Sequence, residues 1–449
     1  MELILIDYIF MIIYLLILIA IGYYSSRKQS DESFLISERK LGILSGIATI
    51  NATKTGAILL VFTALLYLYG FSAMWYFIGV ILGFLIFLPF SNILYNKSEK
   101  KYYTLSDYFY HNYGKTSSYF ASLITIITML GFLISNLIAA SKVLEYFTGL
   151  SYASSAILVS IIVLIYLLMA GFKAVVKTDV LQYIAIVFVL ATFLIVLSNG
   201  VSIPASEWNL FGAGTTNIVG FLLIGMLFPF ASPDLWQRVF AFPDNKTLRK
   251  SLFGSIFVFL IVAVILAIVG LLIKVQLPNL DPDVALLHGF SQLLPSGLTG
   301  LAIVVFFAAF MSSIDTYVYT ASSSFVQNFL RKANKSKIVS KIRLTIFAMT
   351  AIATYLAITI ANLIEASFIF AAYVVVLAIP VLATWIKKSI QPMTLNITFL
   401  IGLATLTIFV IIDFNNNILT PAIVLKGIAG TLLGLIIGSI VSYFKRNKN

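Results

Sequence analysis

The chain has 449 residues, 61% of them hydrophobic and 10% charged, with a formal net charge of +12. That composition lies far outside the soluble range, and no polar stretch is long enough for an attached soluble catalytic or sensory domain, so the class is an integral membrane protein. Cysteine is absent, which excludes a disulfide framework, a thiol nucleophile and a Cys-ligated metal. The two histidines, His111 and His288, fall in predicted loops, which argues against a His-based metal site or proton relay.

About 20 apolar residues cross a bilayer. Runs of that order occur at 3–24, 43–68, 71–95, 118–146, 152–170, 178–199, 217–237, 251–275, 297–329, 341–363, 367–386, 394–412 and 420–443. The sequence thus predicts an all-α protein of thirteen transmembrane helices. The first run is not a cleaved signal peptide, since Glu2 and Asp7 stand where a basic leader would be. Every Lys and Arg except Lys54, Lys142, Lys274 and Lys426 falls in alternate connecting loops, Arg238 among them. By the positive-inside rule the N-terminus is outside and the C-terminus cytoplasmic in a multi-pass cell-membrane protein. The basic surplus is therefore a topology signal and not a nucleic-acid surface.

Two runs are interrupted. The second contains Gly46–Gly56, which places Asn51, Thr53, Lys54 and Thr55 far from either membrane face. A charge at mid-bilayer costs at least about 2.5–3.5 kcal/mol, and polar backbone at that depth is tolerated only where it lines a cavity or is buried in protein. The seventh run contains Pro229, Ser232, Pro233 and Asp234, and proline inside a helix removes a backbone bond. The first break opens a block of five runs (43–199) and the second another five (217–386), so the second block is inverted. Paired breaks at matching places in two halves point to the binding site of a transporter. The expected units are residues 1–42 (an extra helix and inner loop), 43–199 and 200–387 (the two repeats), and 388–449 (two further helices).

Several segments resemble the sodium/solute symporter family. The most specific are Gly171-Phe-Lys-Ala-Val-Val-Lys-Thr-Asp-Val-Leu-Gln182 and Ala308-Ala-Phe-Met-Ser-Ser-Ile-Asp-Thr316, supported by Tyr67-Leu-Tyr-Gly70 and Trp236-Gln-Arg-Val-Phe-Ala241. The resemblance implies a LeuT-type five-plus-five inverted repeat, here with one extra helix before it and two after. It also implies a sodium ion between the broken first core helix and the eighth. The family's Ala-x-x-Ser-Ser pattern falls on Ala309, Ser312 and Ser313. Hydroxyls and unwound carbonyls suit a hard cation, which takes oxygen ligands. Anchoring on Tyr67 and Gly70 makes Asn51 and Lys54 the carbonyl ligands of the first core helix; a three-residue shift makes them Ala48 and Asn51. By the same resemblance Asp179, with Ser313, Asp315 and Thr316, is a candidate second ion site, unless Asp179 simply pairs with Lys173 or Lys177.

Lys54 departs from the family pattern. Its ammonium either enters the cage and replaces sodium, or faces the solute cavity and pairs with an anionic solute or with Asp315. Thr55, Phe77, Phe228 and Ser232 are the expected solute and gate residues, with Asn136 and Ser141 as further polar candidates. Phe77, Ser232 and Pro233 stand where sugar carriers have polar groups, which disfavours a hexose and leaves a small organic anion, an amino acid or a similar metabolite. Lys142 and Glu145, three apart on a helix, are expected to pair, and Lys426 to snorkel. The expected function is sodium-coupled symport of a small organic solute by alternating access. The alternatives are a sodium-independent or proton-coupled carrier, or a sensor on the same scaffold. No enzymatic activity, organic cofactor or obligatory protein partner is expected.

Overall fold

A helix lies over every apolar run. The computed structural model describes residues 5–26, 36–98, 101–168, 172–197, 202–293, 299–330, 338–387 and 390–446. Gly171 and the basic residues Arg27, Lys28, Lys100, Arg331, Lys332, Lys335, Lys337, Lys388 and Lys448 lie outside them. The chain runs α1 (Leu5–Ser26), α2 (Ile43–Thr55), α3 (Ile58–Tyr69), α4 (Trp75–Ser98), α5 (Leu105–Thr148), α6 (Tyr152–Leu167), α7 (Phe172–Leu197), α8 (Thr215–Ala231), α9 (Pro233–Ala241), α10 (Asn245–Gln276), α11 (Ala285–Leu293), α12 (Thr299–Phe329), α13 (Ile338–Ile360), α14 (Leu363–Ile386), α15 (Pro392–Asn415) and α16 (Ile423–Arg446).

Both predicted interruptions are real. The second run divides into α2 and α3 around Gly56 and Ala57, and the seventh into α8 and α9 at Ser232, with a bend of 41°. Pro229 lies inside α8 and Pro233 is the first residue of α9, where its missing N–H costs nothing. Among the described residues, eight helical stretches are long and apolar enough to cross a membrane, nine when the bent pair counts as one. The sequence count is larger partly because residues 58–98 form one continuous helical stretch, α3 and α4 joined by a tight turn over Gly70–Met74. Gly70 takes φ 58°, which side-chain-bearing residues adopt only with strain.

The broken helix α2 packs against α7, α10 and α12, and α12 packs along α5. The pair α4–α8 approaches backbone to backbone. A Cβ on Gly79 or Gly83 would strike the carbonyls of Leu222 or Met226, and one on Gly225 the carbonyl of Tyr76. Small residues at such contacts are how helices gain packing where lipid removes the hydrophobic drive. α1 is tied to this core by Gln182 Nε2, which donates to the Tyr14 hydroxyl at 2.8 Å.

Three local expectations are corrected. His111 and His288 lie on α5 and α11, not in loops, and each packs against a tyrosine ring, Tyr102 and Tyr146. Lys142 pairs with Asp283 at 2.7 Å, not with Glu145: a carboxylate brought in by the loop before α11 outcompetes a neighbour on the same helix. Lys426 reaches Asp413 at 2.7 Å, so its ammonium is paired as well as snorkelled.

Candidate functional site

The first break is assembled from short polar side chains that serve their own backbone. The Thr53 and Thr55 hydroxyls donate to the Thr49 and Asn51 carbonyls at 2.9 and 2.7 Å, and the Asn51 amide donates to Ile47 O at 2.8 Å. Such back-bonding satisfies polar groups in apolar surroundings. The Ala57 N–H, released by the break, donates to Asn136 Oδ1 on α5 at 2.8 Å. A Cβ on Gly56 would collide with Ser313 Oγ and Asn136 Oδ1, so α5 and α12 can close on the break only because residue 56 has no side chain.

Two serines of α12 meet this segment. The Ser312 hydroxyl lies 3.1 Å from Ala52 O and 2.7 Å from Ala309 O; the Ser313 hydroxyl lies 2.9 Å from Thr53 O and 3.3 Å from Ala309 O. The Tyr317 hydroxyl donates to the same Thr53 carbonyl at 2.9 Å. Ala309, Ser312 and Ser313 are therefore brought to the broken helix, but opposite Ala52 and Thr53 instead of Asn51 and Lys54. The Asn51 carbonyl is engaged by Thr55. One residue along a helix turns a carbonyl by about 100°, and the sequence anchor at Tyr67 and Gly70 lies beyond the break, whose two non-helical residues reset the register.

Lys54 does not reach Asp315. Its Nζ lies 2.7 Å from Ser232 Oγ and 3.0 and 2.8 Å from the two oxygens of Asp234, above the Phe228 ring at 4.1 Å. The last turn of α2 thus presents a cation to an anion in the first turn of α9. Each charge complements its helix dipole. Asp234 Oδ2 also lies 3.7 Å from Arg238 Nη1, and Arg238 Nη2 lies 3.2 Å from Asp179 Oδ2. Arg238 further donates to Thr49 and Thr316 at 3.0 and 3.1 Å and to Thr53, while Thr49 donates to Asp179.

Two expectations fall here. Arg238 is not an inner-loop charge but is fully buried, and Asp179 pairs with Arg238 and not with Lys177, while the Lys173 side chain lies outside the described residues. Thr316, expected near a second ion, receives the guanidinium; Asp315 is fully buried one residue away. The four groups alternate in sign, so each charge in a low-dielectric interior faces its opposite.

A cavity of about 100 Å³ opens beside the break. Thr53, Lys54 and Ala57 line it from the broken helix, Ser135 and Asn136 from α5, Phe228 from α8 and Tyr317 from α12. Of the expected solute residues, Phe228 lines this cavity, while Thr55 and Phe77 line a narrow apolar recess behind it that Lys54 and Phe228 share. Ser232 holds the Lys54 ammonium and donates to Asp234 at 2.5 Å. Ser141 only back-bonds to Leu137 O at 2.5 Å. Tyr76, at the start of the second core span where the solute pocket is expected, also lines the cavity; sequence reading missed Asp234, Arg238, Ser135, Tyr317 and Ser367 as site residues. The one signal for the first two was an Asp and an Arg four apart inside an otherwise apolar stretch, an i,i+4 pair on a helix.

The chain belongs to the sodium:solute symporter family, whose sequence profile matches residues 34–207 and 205–392. It is 26% identical over 385 residues to the sodium/proline symporter 2 of Staphylococcus saprophyticus, covering 78% of this chain and 75% of that one. It is 23% identical to the osmoregulated proline transporter OpuE of Bacillus subtilis, over 96% of this chain and 93% of that one. Among solved structures, a sodium-coupled sialic acid symporter in a substrate-bound outward-open state superposes with a TM-score of 0.79 at 18% identity, covering 97% and 98% of the two chains. The nucleobase-cation-symport-1 family transporter Mhp1 superposes with a TM-score of 0.60 at 12% identity, covering 92% and 95%. The protein is accordingly a multi-pass membrane transporter and not an enzyme.

Proposed function

We propose that this transporter couples the inward flow of sodium to the uptake of a small organic solute by alternating access. The observation that carries the reading is the meeting of Ser312 and Ser313 with the carbonyls of Ala52, Thr53 and Ala309. These are uncharged oxygens converging at a helix break, the donor set a hard monovalent cation requires. The hydroxyls need only rotate for their lone pairs to face an ion. The solute site in this reading is the adjoining cavity, with Phe228 as its gate, and Thr53 belongs to both, offering its carbonyl to Ser313 and lining the cavity. Ion and solute therefore share one segment of backbone, which is how binding of one can favour the other.

The layout that serves this mechanism is one helix, a five-helix repeat from residue 43, an inverted five-helix repeat from residue 200, and two helices from residue 388, with the N-terminus outside. The alternation of basic loops and the two breaks support it. The reading in which the Lys54 ammonium fills the sodium position loses support, because all its polar contacts are at the second break. Asp179 and Thr316 are better read as holders of Arg238 than as part of a second sodium cage.

The test is the thermal midpoint of the purified protein in sodium against potassium at equal ionic strength. A ligand of the native state adds about 2.7 kcal/mol at one hundred times its dissociation constant. A sodium-specific rise that is lost in Ser312→Ala and Ser313→Ala is expected; no rise in the wild type would refute the coupling. Sodium-driven flux into vesicles separates the carrier from a sensor on the same scaffold.

A further inference from the structure

Resting on that carrier reading, we infer that the solute is a small organic monocarboxylate with a largely apolar body, its carboxylate received by the Lys54 ammonium. Among the described residues, Lys54 is the one formally charged group that lines the cavity. Its counter-charge lies behind it. The Lys54 side chain is 8% exposed and that of Asp234 1%, and Asp234 does not line the cavity. A carboxylate arriving from the cavity therefore meets the cation first.

The ammonium's three donors face three oxygens, the Ser232 hydroxyl and both oxygens of the Asp234 carboxylate, so a carboxylate from the cavity is received by taking over one of these bonds. Its remaining side faces the Phe228 ring, itself a cavity wall. Ala57 and Ile58 at the start of α3 also line the cavity, but the Ala57, Leu59 and Leu60 N–H groups already donate to Asn136 Oδ1, Gly56 O and Ala57 O, so the ammonium is the anion's partner there.

The rest of the wall fixes the body of the solute. Val61, Leu65, Phe132, Phe221, Ile224 and Phe368 supply apolar surface. No acidic residue lines the cavity among the described residues, so a cationic solute group would have to take Asp234 away from Lys54 and Arg238. The site is built for a negative head and an apolar tail.

The experiment uses the purified full-length protein in saturating sodium chloride. Benzoate, phenylacetate and butyrate are titrated against their primary amides and against tetramethylammonium chloride, with thermal midpoint and calorimetric affinity as readouts. Stabilisation by carboxylates and by none of the amides or the cation is expected. Stabilisation by an amide or by tetramethylammonium, or by none of the carboxylates, overturns the inference. The double variant Lys54→Met/Asp234→Asn removes both charges, so neither is left buried alone. Carboxylate affinity should fall about thirtyfold or more, while the sodium-induced rise in midpoint, which depends on backbone carbonyls and serines, persists and reports a folded protein. Lys54→Arg should restore part of the affinity. Unchanged carboxylate binding in the double variant overturns the inference while leaving sodium coupling standing. Absence of any sodium effect in the wild type overturns the carrier reading, whichever compounds bind.

Discussion

Arg238 and Asp179, 59 positions apart in the chain, approach to 3.2 Å with both side chains fully buried. Removing one member of such a pair strands the other charge. Arg238→Leu should therefore cost about 3–5 kcal/mol and abolish monodisperse protein in detergent. The paired change Arg238→Leu/Asp179→Leu should recover part of the loss. Size-exclusion profiles and thermal midpoints of the three proteins decide it; equal behaviour of the single and paired variants would show that burial of an unpaired charge is not the cause.

Gly56→Ala is a finer probe. Its methyl group would meet Ser313 Oγ and Asn136 Oδ1, and overpacking of this kind costs about 1–3 kcal/mol. The sodium dependence of the thermal midpoint should shift to higher concentration, because Ser313 is the group displaced. A change in midpoint with no change in sodium dependence would separate the break from the ion.

Asn136→Ala leaves the Ala57 N–H without its acceptor. A buried donor so orphaned costs about 1–3 kcal/mol. Because Asn136 and Gly56 share the same few ångströms, the double variant Gly56→Ala/Asn136→Ala should be less damaged than the sum of the singles. Strict additivity would contradict the contact.

Gly83→Leu tests the α4–α8 seam. Its Cβ would meet the Met226 carbonyl, and backbone cannot step aside as a side chain can. The helices must part, and Tyr76 and Ile224, which line the cavity from those two helices, part with them. Solute binding should fall more steeply than sodium binding, which the same titrations would measure.

Outside the membrane, Asp244 caps α10 by accepting from the Thr247 N–H at 2.7 Å. That bond holds its carboxyl below the usual carboxylate range. A group whose folded pKa is depressed stabilises the fold above its unfolded pKa, about 3.9 for aspartate, and the contribution fades as pH falls through the folded value. The difference in midpoint between wild type and Asp244→Ala should therefore be largest at neutral pH and shrink on acidification below the ordinary aspartate range.

Both breaks and the helices over the apolar runs were legible in the sequence because each is a local pattern: a bilayer demands a run of apolar residues, and proline and glycine punctuate it. Ala309, Ser312 and Ser313 were picked out by the resemblance to the family and not by spacing. The ion pairs were not legible. Arg238 lies at the end of an apolar run, where hydropathy cannot tell an inner-loop charge from one folded back beneath α2. Lys142 had a plausible neighbour in Glu145, and only tertiary packing brings Asp283 closer. The carbonyls that face α12 depended on two residues of irregular backbone at Gly56 and Ala57, which no periodicity counts.

The Lys54–Asp234 pair also bears on how this branch of carriers can change over generations. Exchange of Lys54 alone leaves Asp234 buried with only Arg238 and Ser232 as partners, and exchange of Asp234 alone leaves the ammonium with only the Ser232 hydroxyl beside Phe228. Either single step passes through a damaged protein. Under the proposed role of Lys54, descendants that alter the charge at the cavity must alter both positions together, and solute preference would be inherited as a two-residue unit spanning two separate helix breaks.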